Sequence, residues 1–196
     1  MFLIDGLGNP GAEYENTPHN LGFRTVDRLA AHGGWSVRRR ECRSLVGAAR
    51  LENQEVVLAK PLSYMNLSGG PVKELLARYG LGPADLVVIC DDLNLPWGSL
   101  RIRRRGSSGG HHGLDSIIAA LESKEFARVR LGVAPGRVVK DATEYLLAPF
   151  RRSKQKDVDE LVGLAADAVR CLLAEGAAKA MTKYNRRAGG QNIEEE

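Results

Sequence analysis

The chain is poor in the features that would move it away from ordinary globular chemistry. Its three cysteines, Cys42, Cys90 and Cys171, lie far apart, without metal-ligand or redox spacing. They read as reduced thiols of a cytoplasmic protein rather than as a disulfide framework. No window approaches the roughly 18 apolar residues of a membrane span, and the N-terminus has no basic region leading into an apolar one. Neither a membrane nor secretion is expected.

What is present fits one core. With 196 residues and 43% hydrophobic content, a single domain over residues 1–187 is the expectation. Residues 188–196 carry no apolar pattern and end in three glutamates, so a disordered tail is expected there. The formal net charge is only +4, but basic residues cluster at Arg38–Arg40, at Arg101 with Arg103–Arg105, and at Arg186–Arg187. A local basic patch attracts a polyanion more than the net sum does. The middle cluster runs straight into a glycine-rich loop.

The first two dozen residues organise the rest. Phe2, Leu3, Ile4 and Leu7 read as a short buried strand, and Gly6-Leu-Gly-Asn-Pro-Gly11 turns the chain sharply out of the sheet. Thr17 can cap the next helix, and Pro18 suits its first position. His19 then falls in the first turn, where partial positive charge favours neutral imidazole, the form a general base needs. An ordinary capping-region histidine is the alternative. The Gly6–Gly11 run also matches the dinucleotide-binding G-x-G-x-x-G pattern. However, the helix starts only at Pro18, and Asp27, at the spacing of the ribose-binding acid, falls in a helical pattern.

Further along, Ser44–Leu51 and Glu55–Lys60 read as a hairpin around Glu52-Asn53-Gln54, which brings antiparallel pairing into the sheet. The loop from Pro61 to Gly70 carries Asn66, whose amide can donate to a carbonyl, and a helix follows it. Asp85–Cys90 is an apolar run typical of a strand buried on both faces, with Asp91 and Asp92 expected just past its end. A carboxylate there can orient a histidine from another loop. Two adjacent acids also suit a divalent metal, but few other ligands stand nearby, so no metal is expected. Ser99–Arg103 and Arg128–Val133 read as strands around the Gly106–Gly113 loop, with Arg128 and Arg130 on one face. A long helix through Val158, Leu161, Ala165, Val169 and Leu172 closes the core.

Together these stretches resemble the bacterial-type peptidyl-tRNA hydrolase family over nearly the whole length. The matching motifs are Gly6–Gly11 with Tyr14 and Thr17-Pro-His-Asn20, then Pro61–Gly69, Asp91–Pro96 with Gly98, and Gly106–Leu114. The resemblance implies an α/β fold, one domain with a mixed, twisted central sheet flanked by helices on both faces. It implies cleavage of the ester between a peptide and the 3′ adenosine of tRNA, without a cofactor, by a cytoplasmic monomer acting on the acceptor end. It assigns His19 as catalytic base and Asp91 as the carboxylate that stabilises it. Asn9 and Asn66 become amides around the scissile ester, while Tyr14, Tyr64 and Met65 line the channel for the tRNA end and peptide. His111 and His112 fall among the substrate-binding positions, and Arg103 with Arg130 become a clamp for the tRNA 5′ phosphate. His112 replaces the family's usual asparagine. A neutral imidazole offers one donor and one acceptor for the same task, and it can also gain a proton in acid. A non-catalytic RNA-binding protein on the same scaffold is the competing class.

Overall fold

The computed structural model describes residues 1–185, so the tail expected at 188–196 lies outside the described residues. Among the described residues seven strands form one sheet: β1 Phe2–Gly6, β2 Arg39–Glu41, β3 Ser44–Leu51, β4 Gln54–Pro61, β5 Leu86–Pro96, β6 Leu100–Arg103 and β7 Ala127–Ala134. Their spatial order is β2-β3-β4-β1-β5-β7-β6. The central strands β4, β1, β5 and β7 run parallel. Antiparallel β2, β3 and β6 complete the edges. The sheet is therefore mixed, as the hairpin requires. Connections leave β1 toward β4 on one side and reach β5 on the other, so a crevice opens where β1 and β5 diverge.

Helices cover both faces because the strands are apolar on both sides. Alternation sends Ile4, Ile89 and Leu131 to one layer, packed with Val26 and Leu29 of α1 (Leu21–His32). Val158, Ala165 and Val169 of the long helix Gln155–Glu175 join the same layer. The opposite layer joins Leu3, Val88 and Cys90 to Val72 and Leu75 of α2 (Gly69–Tyr79). Leu114 and Ile117 of α3 (His112–Leu121) complete it. The remaining helices are α4 (Ala142–Leu147), α5, the Gln155–Glu175 helix, and α6 (Ala177–Tyr184).

One close approach sets the position of the first loop. A Cβ on Gly22 would run into the Leu7 backbone nitrogen and the carbonyl oxygens of Ile89 and Leu7. One on Gly6 would meet the Gly22 carbonyl. The start of α1 thus rests directly on the backbones of β1 and β5. His19, three residues earlier, is carried over the crevice.

Three local expectations are corrected. Thr17 does not cap through its side chain; its hydroxyl donates to the Tyr14 carbonyl at 2.7 Å, and a 3-10 turn, Pro18–Asn20, precedes α1. Asp91 and Asp92 stand inside β5, not past its end, because pairing with Leu131 and Gly132 of β7 extends the strand. Gln54 belongs to β4, leaving Glu52 and Asn53 as the two turn residues, both with positive φ. That is the backbone a two-residue hairpin demands.

Asp5 is the one charged-type residue of β1 and it is fully buried, with neither carboxyl oxygen hydrogen-bonded. Burial raises its pKa well above the ordinary value. A raised folded-state pKa means that the neutral acid costs nothing extra in acid, and stability drains away as the pH climbs from the unfolded value toward the folded one. Asp5→Asn, always neutral and of similar shape, should gain stability over the parent as the pH rises above the ordinary carboxylate range. The gain should approach about 1.4 kcal/mol per pH unit, read from urea unfolding. Parallel stability curves for the two proteins would show that Asp5 ionises without cost.

Candidate active site

His19 and Asp91 meet at the crevice. The His19 Nδ1 lies 2.9 Å from Asp91 Oδ1, and His111 Nε2 lies 3.1 Å from the same oxygen. Asp91 is 1% exposed and His19 11% by side chain, so the carboxylate is sealed while the histidine reaches the cavity. The backbone N–H groups of Gly113 and Leu114 both donate to His111 Nδ1, at 3.1 and 3.3 Å. That nitrogen must be unprotonated, so His111 carries its proton on Nε2 and gives it to Asp91. His111 thereby also caps α3. With its Nδ1–H aimed at the carboxylate, His19 keeps the Nε2 lone pair for chemistry. Burial pushes the Asp91 carboxyl up, but the imidazoles, His111 before His19, outweigh it and hold it well below the usual range.

A second set of bonds fixes Asn9. Its backbone nitrogen donates to Asn20 Oδ1 at 2.9 Å, and Asn20 Nδ2 donates back to the Asn9 carbonyl at 3.0 Å. The side-chain oxygen Oδ1 of Asn9 accepts from the Met65 backbone nitrogen at 2.8 Å. The acceptor is used up, so the amide offers its Nδ2 donors. Asn20 was not singled out from sequence. Its side chain grips the loop after the first strand.

These groups share a cavity of about 670 Å³, whose wall includes Asn9, Tyr14, His19, Tyr64, Met65, Asn66, Asp91, His111, His112 and Arg130. Tyr64 is exposed at the rim and Met65 is buried. Thr143, Leu146 and Leu147 of α4, which no sequence motif indicated, form the far wall. His111 departs from its expected place against substrate, because both ring nitrogens are spent within the protein. Arg103 lies outside the cavity wall, on β6 opposite Arg128, while Arg130 faces Arg101. Arg130 Nε pairs with Asp92 Oδ2 at 2.9 Å, and its Nη2 donates to the Ser108 carbonyl at 3.0 Å. Arg128 is 1% exposed and donates to the carbonyls of Gly106, Ser107 and Lys124. Burial pulls its guanidinium down to about 10, which leaves it charged at neutral pH. The two arginines lash the glycine loop to β7.

The donor atoms of His19, Asp91 and His111 lie within 4.8 Å of one another, a spacing that could hold a metal. Their directions argue otherwise. Both imidazoles point a proton at one carboxylate oxygen, and the other His111 nitrogen is taken by two backbone N–H groups. Asp92, the neighbouring acid, is committed to Arg130 and to the Asn94 backbone N–H at 2.9 Å.

Fold and site together define an α/β protein with a histidine–carboxylate pair at the carboxyl edge of its parallel strands. The family model described as peptidyl-tRNA hydrolase matches residues 3–193. A peptidyl-tRNA hydrolase of Solibacter usitatus is 50% identical over 195 residues, covering 100% of both chains. One of Desulforudis audaxviator is 51% identical over 185 residues, covering 94% of this chain and 93% of its own. The crystal structure of the Acinetobacter baumannii peptidyl-tRNA hydrolase superposes with a TM-score of 0.86 at 30% identity, over 93% of each chain. The chain belongs to the peptidyl-tRNA hydrolase family. Among the described residues, no helix is long and apolar enough to cross a membrane.

The Asn20 grip generates a stability test. Asn20→Ala strands the buried backbone N–H and carbonyl of Asn9, at about 1–3 kcal/mol for an unsatisfied group. Urea unfolding should register a loss of about 2 kcal/mol on that scale. A loss under about 0.5 kcal/mol, the level of an uninvolved surface change, would show that the loop finds other partners.

Proposed function

We propose that the chain hydrolyses the ester joining a peptide to the 3′ adenosine of tRNA, with His19 as general base. The observation that carries the reading is the 2.9 Å bond from His19 to the buried Asp91, which leaves the other ring nitrogen facing the cavity. Family membership supports the substrate. His19 Nε2 takes a proton from water as the oxygen attacks the ester carbonyl, and Asp91 stabilises the imidazolium. Negative charge then collects on the former carbonyl oxygen. Asn9, with its donors oriented by Met65, and Asn66 at the cavity wall are placed to meet it. Collapse of the tetrahedral species breaks the bond to the ribose oxygen, which recovers the proton from His19. Peptide acid and tRNA hydroxyl leave. An ester's alkoxide leaves more readily than an amine, so no side-chain nucleophile is required.

His111 acts through Asp91 as a positioning residue. His112, exposed on the cavity wall, is proposed to hold substrate or water where the family has asparagine. Tyr14, Tyr64 and Met65 are proposed to guide the acceptor end, and a monomer suffices because the described residues complete the cavity from one chain.

Release of peptide from an N-blocked aminoacyl-tRNA tests the base. His19→Ala should lose about 10²–10⁴-fold in kcat while retaining tRNA affinity. Equal losses of turnover and binding in His19→Ala would make the residue structural. Tight binding without cleavage by the parent would favour an RNA-binding protein.

The basic pair makes a separate prediction. Arg103→Gln or Arg130→Gln should weaken tRNA binding and lower the log–log salt slope by about one. Filter binding from 50 to 300 mM salt measures this, and an unchanged slope would remove the phosphate clamp.

A further inference from the structure

A second groove, of about 930 Å³, opens on the other side of α4 at the carboxyl ends of β5 and β7. Trp97, Tyr145 and Phe150 form its walls, with Arg137, Arg151 and Lys154 around them, and no carboxylate lines it. Trp97 and Phe150 stand edge to face, ring centroids 5.7 Å apart. The Lys154 ammonium lies 5.5 Å over the Trp97 ring, so the indole face is already one that draws a cation and its counter-charge. Lys154 is itself paired with Asp157 at 2.8 Å, whereas the Arg137 and Arg151 guanidinium groups stand beside the aromatic faces; together they offer an unpaired nucleotide a platform for the base and positive charge for the phosphate.

The groove adjoins the catalytic cavity. Asn94 lines both, and Pro18, next to His19, lines the second. Its Phe150 wall is pinned to the loop that carries His19. Phe150 N donates to the Asn16 carbonyl at 2.8 Å, Asn16 Nδ2 donates to the Phe150 carbonyl at 3.3 Å, and Arg24 and Gln155 hold Asn16 Oδ1. The groove is thus tied through Phe150 to the loop that carries His19.

We propose that this groove is a second nucleotide subsite, in which an unpaired base of the substrate's RNA end stacks on Trp97 while Arg137 and Arg151 hold its phosphate. The inference rests on the peptidyl-tRNA reading and extends it to the nucleotides before the terminal adenosine. RNA is favoured over the peptide as occupant because every nucleotide brings negative charge to a groove whose two arginines, Arg137 and Arg151, meet no carboxylate in its lining, whereas peptides bring either sign.

Two substrates separate the outcomes, an N-acetylaminoacyl-tRNA and the corresponding N-acetylaminoacyl ester of adenosine alone. Trp97→Leu should lower kcat/KM for the tRNA about 10-fold, the scale of one lost base stack, and leave the nucleoside ester at the parental rate. Trp97→Phe should restore most of the loss. The double variant Arg137→Gln/Arg151→Gln, altered only at exposed positions, should show the same selective loss with a reduced salt dependence. Equal losses on both substrates would make the groove a support for the His19 loop, and no loss on either would empty it of function. A loss that follows peptide length instead would make it a peptide channel. If the parent cleaves neither substrate, the peptidyl-tRNA reading fails by itself. The groove is then judged by fluorescence, since Trp35 and Trp97 are the two tryptophans. In a Trp35→Phe background a CCA trinucleotide should quench Trp97, and the absence of quenching would overturn the subsite.

Discussion

The structure depends on a single buried carboxylate oxygen that two imidazoles share. A charge as sealed as Asp91 is costly unless paired and hydrogen-bonded, and here His19 and His111 supply both partners from different segments. Each partner is in turn constrained. His111 owes its tautomer to the two N–H groups that open α3, so a helix N-terminus fixes which way a proton points some distance away. His19 owes its position to the contact of α1 with the strand backbones, where Gly6 and Gly22 leave no room for a Cβ. His19 is therefore set by packing before any substrate arrives.

Adjacent acids on a strand are not a pair. The period of two sends Asp91 and Asp92 to opposite faces, and each meets what its face holds. Asp91 lies on the side of Ile89 and Leu131, toward α1, and finds His19. Asp92 shares the side of Cys90 and Arg130, and finds the guanidinium. Read as neighbours in sequence, the two suggest a metal; extended into β5, they divide between catalysis and loop anchoring. The strand runs on through them because β7 still offers partners at Leu131 and Gly132.

This difference marks what a sequence can show. The buried runs of β1 and β5, the hairpin and the long period of α5 are local, and their hydrophobic spacing made them legible. The site residues were legible through motif resemblance, which carried His19, Asp91 and Asn9 to one place without any geometry. What stayed hidden depends on contacts distant along the chain. Asn20 carries no local signal of its role, because it is Asn9, eleven residues earlier, that takes both ends of its amide. The wall provided by Leu146 and Leu147 belongs to a six-residue helix too short to announce itself by periodicity. The tie from Asn16 to Phe150 spans 134 positions, and no local pattern encodes it.

A reaction in which water attacks needs its donors prepared in advance, since water brings none of its own orientation. Asn9 shows how the fold does this. The Met65 N–H consumes the amide's acceptor, so rotation of the amide by half a turn would set donor against donor. The loop after β4 thereby decides which atom the loop after β1 presents to the cavity. Such preorganised dipoles act where charge develops and need no rearrangement during the reaction. Their cost falls on the folded ground state instead, in a buried carboxylate, a guanidinium pulled below its ordinary value and a glycine loop held by arginines. Those expenditures lie around one crevice, which is where a reaction driven by a positioned water would require them.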